Sequence, residues 1–549
     1  MKRRRRCLMA TCAVVTSLVI LVAGQALAAG QPELPRLRVE TSPVASGGRT
    51  LSVGAGGNFQ AALERARPGD VITLEAGATF VGPFTLPRKE GDGWITIRTS
   101  APDDRLPPPD ARIDPTHAGI MPKLEAGRAS VIVTAPGAHH YRFVAIEIRP
   151  RARVALVNLV QLGAGEPALE LVPSHLIFDR CYLHGDPEKG TRRGIAMNSR
   201  HTAVVGSYLS DFKEVGADSQ AIAAWGGPGP YKIVNNYLEG AGENVLFGGA
   251  DPVIPNVVPS DIEIRHNHVS KPLTWKVGDP AFQGVAWAVK NLFELKNARR
   301  VVVEGNVFEH NWAHAQSGFA ILFTVRNEGG RAPWSVIEDV AFVNNVVRHV
   351  GGGFNVLGRD NNAPSMQTSR VRIANNLLED VGGSQWSGRG TLLQIIDGTA
   401  GVTVEHNTAV QTGPIIFAEG LPHTGFTFQN NIVMHNAAGI AGTGTGIGKG
   451  ALQAFFPGSI VRRNVIVGGH AGSYPADNFF PGSVDGVAFA NRPEGRHRLG
   501  PASPYRRAGT DGHDIGVDFE ALMGALAGLS NPRLSAVHEP FVVNVDKKP

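Results

Sequence analysis

The stretch VVVEGNVFEHNW, from Val301 to Trp312, decides the fold, because the chain repeats it. An apolar run rich in β-branched residues leads into Gly305-Asn306, and a second short apolar run follows. The matching stretches are IEIRHNHV from Ile262, VAFVNNVV from Val340, VRIANNLL from Val371, VTVEHNTAV from Val402, FTFQNNIV from Phe426 and IVRRNVIV from Ile460, with weaker copies from Leu176, Thr202 and Tyr231. The chain is therefore built from one short repeated unit.

The spacing of the repeats indicates how the units are arranged. Aligned on the second Asn or its replacement, the series is Cys181, Ser207, Asn236, Asn267, Asn306, Asn345, Asn376, Asn407, Asn431 and Asn464. Successive members lie 24 to 39 residues apart, a period typical of stacked units. No stretch between them is long and periodic enough for a crossover helix. The sequence thus predicts an all-β fold, a right-handed single-stranded parallel β-helix, which is a solenoid.

The repeated Asn residues have a structural explanation. A bend between two strands needs a residue that tolerates positive φ, and Asn does so at low cost. Stacked Asn side chains can also hydrogen-bond from one coil to the next. We therefore interpret the series as structural, with one invariant bend per coil. The uneven spacing predicts that the other connections vary in length and form a groove.

The amino-terminal residues are typical of an export signal. Lys2 to Arg6 are basic, Cys7 to Gly24 are apolar, and Ala26-Leu27-Ala28 fits a cleavage site. We therefore expect residues 1–28 to be a signal peptide of the bacterial type. The mature protein would be secreted, periplasmic or extracellular, with no stable membrane anchor.

Removal of the signal changes the charge balance. The chain has 53 Lys and Arg against 48 Asp and Glu, and the five basic residues 2–6 account for the whole excess. A neutral mature surface does not suit nucleic-acid binding, so we expect no nucleic-acid partner. Cys181 would be the one remaining cysteine, so stability has to come from stacking instead of disulfides.

The remaining segments define the predicted boundaries. Residues 29–50 are rich in Pro and Gly and are predicted to be a linker, and residues 51–528 to be the β-helix domain. Asn58 to Ala66 (NFQAALERA) reads as a capping helix for the open first coil. Asp518 to Leu526 reads as a terminal helix, with 529–549 as a tail. Asp511, Asp514 and Asp518 suit a turn and a helix cap better than a Ca²⁺ loop.

Tryptophan residues concentrate where the repeats are longest. Six of the seven Trp lie between residues 225 and 386. Exposed Trp beside a groove suits sugar rings, whereas a buried Trp would only fill a coil or the base of a loop. We predict substrate binding by Trp287, Arg299, Trp312, His314 and Trp334.

Two basic residues close corresponding strands of successive coils. Lys296 ends one strand, and Arg326 ends the matching strand one coil later, about 5 Å away. Two such cations suit β-elimination on a uronate, where one holds the substrate carboxylate and a base removes the proton at C5. The alternative is that both are solvated strand-end charges. We predict that Lys296 and Arg326 are catalytic.

A family resemblance adds to this interpretation. ELKNARRVVVEGNVF, SGFAILFTVRN and VAFVNNVV resemble the core of the alginate lyase and chondroitinase B family. The opening QAALERARPGDVITLEAGATFVG resembles the cap of pectate-lyase-like β-helix proteins. The resemblance implies Lys296 as base and Arg326 as acid. It also implies Ca²⁺, but Glu294 stands nearer the Lys than the family's ligands and Asn291 occupies one of their positions. We assign no metal ligand, and the cofactor stays open.

The predicted function is therefore a polysaccharide lyase that acts on an acidic, uronate-containing polysaccharide, with the protein expected to be a monomer. A glycoside hydrolase would need convergent carboxylates, and no such sequence set is found. A non-catalytic glycan-binding β-helix would need only the stacked coils and no catalytic residues. Glu243 and Asp251 in GENVLFGGAD are further candidates for a cation or a sugar, although Gly-rich turns in solenoids usually only bend the chain.

Overall fold

The chain winds into a parallel β-helix made of three long parallel sheets. The computed structural model describes residues 31–43, 47–109, 111–490 and 497–529. The sheets contain 14, 13 and 12 strands, and each strand other than those at the ends of a sheet pairs with the strand one coil before and one coil after it. The chain visits sheet 1, sheet 2 and sheet 3 in turn, as the repeat pattern predicts. The fold class is confirmed.

The strands are short and follow one another in register. Sheet 1 contains Thr50–Val53, Val71–Leu74, Ile95–Thr99, His139–Val144, Ser174–Asp179, Arg200–Val205, Tyr231–Val234, Ser260–Arg265, Ala298–Glu304, Ile337–Val343, Ser369–Ala374, Ala400–Glu405, Thr427–Gln429 and Ile460–Arg462. Sheet 2 contains Thr79–Val81, Lys123–Ala126, Glu147–Pro150, Tyr182–His184, Tyr208–Phe212, Tyr237–Gly240, His268–Ser270, Val307–Asn311, Val346–Val350, Leu377–Val381, Thr408–Gln411, Ile432–Met434 and Val465–Val467. Sheet 3 contains Phe84–Leu86, Ile132–Thr134, Asn158–Leu162, Arg193–Met197, Gln220–Ala224, Glu243–Phe247, Asn291–Leu295, Phe319–Thr324, Gly352–Leu357, Leu393–Ile396, Ile416–Glu419 and Ile440–Gly442.

The repeated Asn residues line up as a ladder at the bend between sheets 1 and 2. The side-chain oxygen of Asn306 accepts from the backbone N–H of Asn267 at 2.8 Å, and the Asn306 amide donates to Asn345 Oδ1 at 3.0 Å. The bond from a backbone N–H to the side-chain oxygen one coil later links every member of the series. It continues beyond the predicted end to Asn478. The ladder Asn residues are buried. The structural interpretation is confirmed.

The ladder Asn does not itself adopt the positive φ of the bend, contrary to the prediction. Positive φ belongs to the residue before each ladder position, as in Asn344 at 56° and His266 at 54°. The ladder Asn itself satisfies buried backbone groups of the neighbouring coils, which is the stronger constraint, because an unpaired buried N–H is costly. The preceding position tolerates several residue types, including Arg180 and His406.

Apolar side chains from all three sheets fill the interior of the coil as one continuous core. Aromatic rings stack from coil to coil inside it, as Phe143 and Phe178 do with 5.1 Å between ring centroids. Such a core grows with every added coil, so the length of the chain does not limit it.

Helices cover exposed parts of the coil. Helix α1 (Phe59–Arg65) is capped by Asn58, which accepts from Ala61 N–H at 2.9 Å, and it packs on the first strands as predicted. Helix α2 (Lys449–Phe455), which the repeat pattern did not predict, packs on Ile416–Glu419 and Ile440–Gly442. Helix α3 (Phe519–Leu526) is capped by Asp518 as expected. Its apolar face covers Val307, Val346 and Leu377 of sheet 2. The six short 3-10 helices of the described residues are Asp103–Arg105, Pro115–Ile120, Leu169–Leu171, Leu273–Trp275, Ala471–Ser473 and Val484–Val487.

Much of the segment predicted as a linker packs along the outside of sheet 1. The backbone N–H of Glu33 donates to Asp339 at 2.9 Å, and the N–H of Arg36 donates to Asp261 at 2.8 Å. Further on, Arg142 donates to the carbonyl of Thr41 at 2.9 Å. Residues 31–43 therefore form a strap that crosses several coils. The predicted signal peptide (1–28) and nearly all of the predicted tail (529–549) lie outside the described residues. Within the described part, no helix combines the length and the apolar character that crossing a bilayer would take.

Candidate functional site

The outer face of sheet 3 lies between the two sides of the coil that carry the longest loops. The Asn bend between sheets 1 and 2 is short in every repeat. Loops 271–290, 312–318 and 382–392 enter sheet 3, and loops 248–259, 325–336 and 358–368 leave it. These loops border sheet 3 on both sides, which is the place where the uneven spacing predicts a groove, and we call this strip of sheet 3 the groove.

The structure brings Lys296 and Arg326 together at one edge of this groove. Lys296 directly follows Asn291–Leu295, and Arg326 follows the neighbouring strand Phe319–Thr324. The backbone N–H of Arg326 donates to the Lys296 carbonyl at 2.9 Å, so the two residues occupy adjacent coils. The stem of Lys296 lies against Gly249, where an added Cβ would stand 3.6 Å from Lys296 Cδ.

Each of these cations has an acidic partner from another part of the chain. Lys296 Nζ lies 3.6 Å from a carboxylate oxygen of Glu328. Arg326 Nη1 donates to Asp360 and to Asn361, both at 2.6 Å. The two cations are therefore not an unopposed pair, which the sequence interpretation assumed. Their side chains remain 17% and 25% exposed, respectively.

Asp360 is held as a charged partner for Arg326. Burial alone would raise the pKa of Asp360, but hydrogen bonds from the backbone N–H groups of Asn362 and Asn327, together with Arg326, keep that pKa below its ordinary value. Asp251 fixes the loop from the other side, because its carboxylate accepts from the N–H groups of Gly329 and Arg331 at 3.0 Å each. The loop that carries Glu328 is thus anchored at both ends.

A buried polar network lies along sheet 3 beside these residues, and only part of it was named from the sequence. Gln220 donates to Glu243 at 2.7 Å, and Lys290 reaches Glu243 at 3.4 Å and Asp218 at 2.6 Å. Burial raises the pKa of Glu243 to about 7, and the nearby carboxylates of Glu294 and Asp218 add to this effect. The Glu243 carboxyl is therefore protonated more readily than an ordinary glutamate.

The network continues along the sheet to the coil of Arg326. Asn291 donates to Glu294 at 2.9 Å, and Thr324 donates to the other Glu294 oxygen, also at 2.9 Å. Asn291, Gln220 and Glu243 share one register position on adjacent strands. The sequence signal for this network is a polar residue at the start of successive sheet 3 strands. It can be recognised only when the register of the strands is known.

These residues do not fit a Ca²⁺ site. The described residues contain no group of three or more His, Cys, Asp or Glu arranged to hold a metal ion. The ammonium of Lys290 already lies between Asp218 and Glu243, where it supplies the positive charge that those carboxylates need. We derive no step through Ca²⁺.

Two predicted sugar-binding tryptophans differ from expectation in their exposure. Trp287 and Trp312 are 7% and 4% exposed and pack with Trp275 and Trp386 in a small apolar cluster. Lys213 lies over the ring of Trp287 at 5.1 Å. The long loops entering sheet 3 need their own core, and these rings provide it. The exposed platforms that we expected are therefore absent at these two positions, and the residues' role in binding stays an untested prediction.

The other three predicted binding residues lie on different surfaces. Trp334 is in the loop that carries Arg326, and its indole N–H donates to the Val257 carbonyl at 3.1 Å. His314 is exposed in loop 312–318, on the opposite wall. Arg299 lies on sheet 1, where it donates to Ser260 Oγ at 3.2 Å. Of these, Trp334 and His314 border the groove, and Arg299 lies around the corner from it.

A cavity of about 1270 Å³ lies away from this site, between residues 498–523 and the Asn bend. Its charges are mixed, and its three aspartates are engaged. Asp511 pairs with His406 at 3.0 Å, Asp514 accepts from Arg507 N–H at 2.8 Å, and Asp518 caps α3. None of the predicted binding or catalytic residues lines it.

No protein-family model and no curated protein matches the chain. Among solved structures, the chain is similar to "PL6 family alginate lyase AlyGC", with 14% identity and a TM-score of 0.49 over 85% of this chain and 57% of that one. It is also similar to a GH87 alpha-1,3-glucanase from Streptomyces thermodiastaticus strain HF3-3, with 11% identity and a TM-score of 0.46 over 82% of this chain and 72% of that one. For pectate lyase Pel9A the identity is 14% and the TM-score 0.34, over 86% and 98%. The chain thus spans little more than half of the alginate lyase, and the similarity concerns the fold.

Proposed function

We propose that this protein is a carbohydrate-active β-helix protein that cleaves a uronate-containing polysaccharide by β-elimination in the groove of sheet 3. The observation that carries the proposal is the hydrogen bond between Arg326 N–H and the Lys296 carbonyl, which holds two cationic side chains on adjacent coils beside one groove. The solved structures named above include enzymes on polysaccharides, and this agrees with the proposal without testing it.

The two residues divide the chemistry between them. Lys296 in its neutral form takes the proton at C5 of the uronate, and the electron pair of that C–H bond forms the C4–C5 double bond. The bond between C4 and the glycosidic oxygen breaks, and Arg326 stabilises the charge that develops on this oxygen until a proton reaches it. A substrate carboxylate replaces Glu328 beside the cations, since Glu328 is 47% exposed on its loop.

The test is the appearance of the unsaturated-uronate absorbance on alginate, polygalacturonate and chondroitin sulfate. Lys296→Arg keeps the positive charge and removes the base, so we expect it to lose at least 100-fold in kcat, the size of a general-base contribution. Arg326→Ala should lose activity as well. Lys449→Ala and Arg462→Ala, exposed residues outside the groove, serve as matched controls. Full activity in Lys296→Arg would refute the role of Lys296 as the general base.

One observation favours a second candidate, a glycoside hydrolase. The raised pKa of Glu243 is a property of a general acid, and Glu294 lies nearby. Both carboxyl groups, however, are buried, at 0% and 2% exposure, and are engaged by Gln220 and Lys290 and by Asn291 and Thr324, respectively. New reducing ends without the absorbance would indicate hydrolysis, and binding without cleavage would indicate a glycan-binding protein.

A further inference from the structure

A partly exposed tryptophan, Trp225, lies at the same edge of sheet 3 as Lys296. Trp225 directly follows the strand Gln220–Ala224, and Lys296 follows a strand two coils further on. Two coil spacings amount to about 10 Å. Between them the chain has Gly248-Gly249 and thus no side chains, with φ values of 93° and 84° that favour glycine. The two glycines add no side chain to this stretch, and the stem of Lys296 and the side chain of Leu246 lie against Gly249.

The ring of Trp225 is held by an arginine from the neighbouring coil. The Arg193 guanidinium lies 5.4 Å from the ring centroid. Arg193 is itself fixed, because it donates to Gln220 at 2.9 Å and to Asn158 at 3.4 Å. Since Arg193 begins its strand whereas Trp225 comes after the end of the next one, the ring has to fold back over the outer face of the sheet.

Small residues leave room for the ring at this position. Ala196 and Ala223 pair in register and alternate with the core residues Ile195 and Ile222, so they face outward. Both are nevertheless buried, at 0% and 1% exposure, so other groups cover them. A large side chain at either position would occupy the space above the sheet that the indole needs.

The indole of Trp225 keeps polar capacity for a ligand. No acceptor in the described part of the chain takes a hydrogen bond from its N–H, whereas the indole of Trp386 donates to Asp380 at 2.7 Å. A partly exposed ring with a free donor at its edge suits a pyranose, which has an apolar face and hydroxyl groups around its rim.

We propose that Trp225, backed by Arg193, is a stacking subsite for a sugar of the same linear polysaccharide, two coils to the amino-terminal side of Lys296. The identity of the polymer rests on the proposed function. A polymer that lies along the coil axis would place one sugar on Trp225, pass over the two glycines, and present a uronate to Lys296 and Arg326. The site would then bind internal stretches of the polysaccharide in addition to its ends.

The experiment separates this subsite from the catalytic proposal. Binding is measured by retardation in native gels that contain alginate, polygalacturonate or chondroitin sulfate, using the full chain with Lys296→Arg so that nothing is cleaved. Adding Trp225→Ala should weaken binding to the retarding polymer about tenfold, and Trp225→Phe less. Trp94→Ala, which removes another partly exposed Trp away from sheet 3, is the control. Circular dichroism checks that each variant folds.

The outcomes are distinct. Weaker retardation with Trp225→Ala, but not with Trp94→Ala, supports the subsite even if no uronate absorbance ever appears. The missing absorbance would refute only the proposed lyase activity. In the active protein, Trp225→Ala should raise KM for long chains while kcat changes little. Equal retardation of Trp225→Ala and its parent, or no retardation by any of the three polymers, would overturn the subsite even if cleavage is observed.

Discussion

Replacing Asn306 by Ala tests the ladder on which the coil depends. Asn306 Oδ1 accepts from the Asn267 N–H at 2.8 Å, and its amide donates to the Ile264 carbonyl at 2.9 Å and to Asn345 Oδ1 at 3.0 Å. The Ala variant leaves the buried N–H of Asn267 without a partner, which costs about 1–3 kcal/mol. It also loses the bond from the Asn267 side-chain amide at 3.0 Å and the two bonds of the Asn306 amide given above, each worth about 0.5–1.5 kcal/mol. We expect a loss of about 4 kcal/mol in the free energy of unfolding.

Asn306→Ser is the matched control, because the chain already uses Ser at this position of another coil. Ser207 Oγ accepts from the Cys181 N–H at 3.0 Å, so a hydroxyl can satisfy the critical donor. The Ser variant should lose about 1 kcal/mol. Urea unfolding followed by circular dichroism measures both variants. A loss below about 1 kcal/mol in the Ala variant, or equal losses in the two, would refute the view that the ladder satisfies buried backbone groups.

Two further predictions concern the groove. Because burial raises the pKa of Glu243 from 4.5 to about 7, the folded protein binds more protons than the unfolded chain between these values, so its stability should fall as pH rises from about 4.5 to 7. Glu243→Gln should reduce that fall by up to about 3 kcal/mol, and an unchanged pH dependence of urea unfolding would contradict the assignment. Glu328→Gln removes the anion beside Lys296 and should lower KM for the acidic polymer by up to about fivefold, the range of an exposed ion pair. The exposed Glu188→Gln is its control, and a raised KM in Glu328→Gln would show that Glu328 does not compete with substrate.

The local sequence was enough to predict the coil. β-branched runs, an Asn at each bend and a capped helix at the start are short-range signals, and stacking repeats them at every coil. The position of Lys296 and Arg326 on adjacent coils also followed, because each ends a strand that the pattern marks. The bend itself was only half understood, since the positive φ belongs to residues such as Asn344 that precede the ladder Asn.

The surroundings of the site were decided by contacts that no local pattern records. Glu328 and Asp360, the acidic partners of the two cations, come from loops whose path is set by tertiary packing. The sequence predicted Trp312 as an exposed loop residue, but it packs in a small apolar core formed by the loops that enter sheet 3. Trp225 and Arg193 meet because the strand that Arg193 begins pairs with the strand that Trp225 follows. The sequence alone determined the repeating backbone, since each coil depends on its own residues; the tertiary structure decided which side chains stay exposed, since that depends on loops folding across several coils.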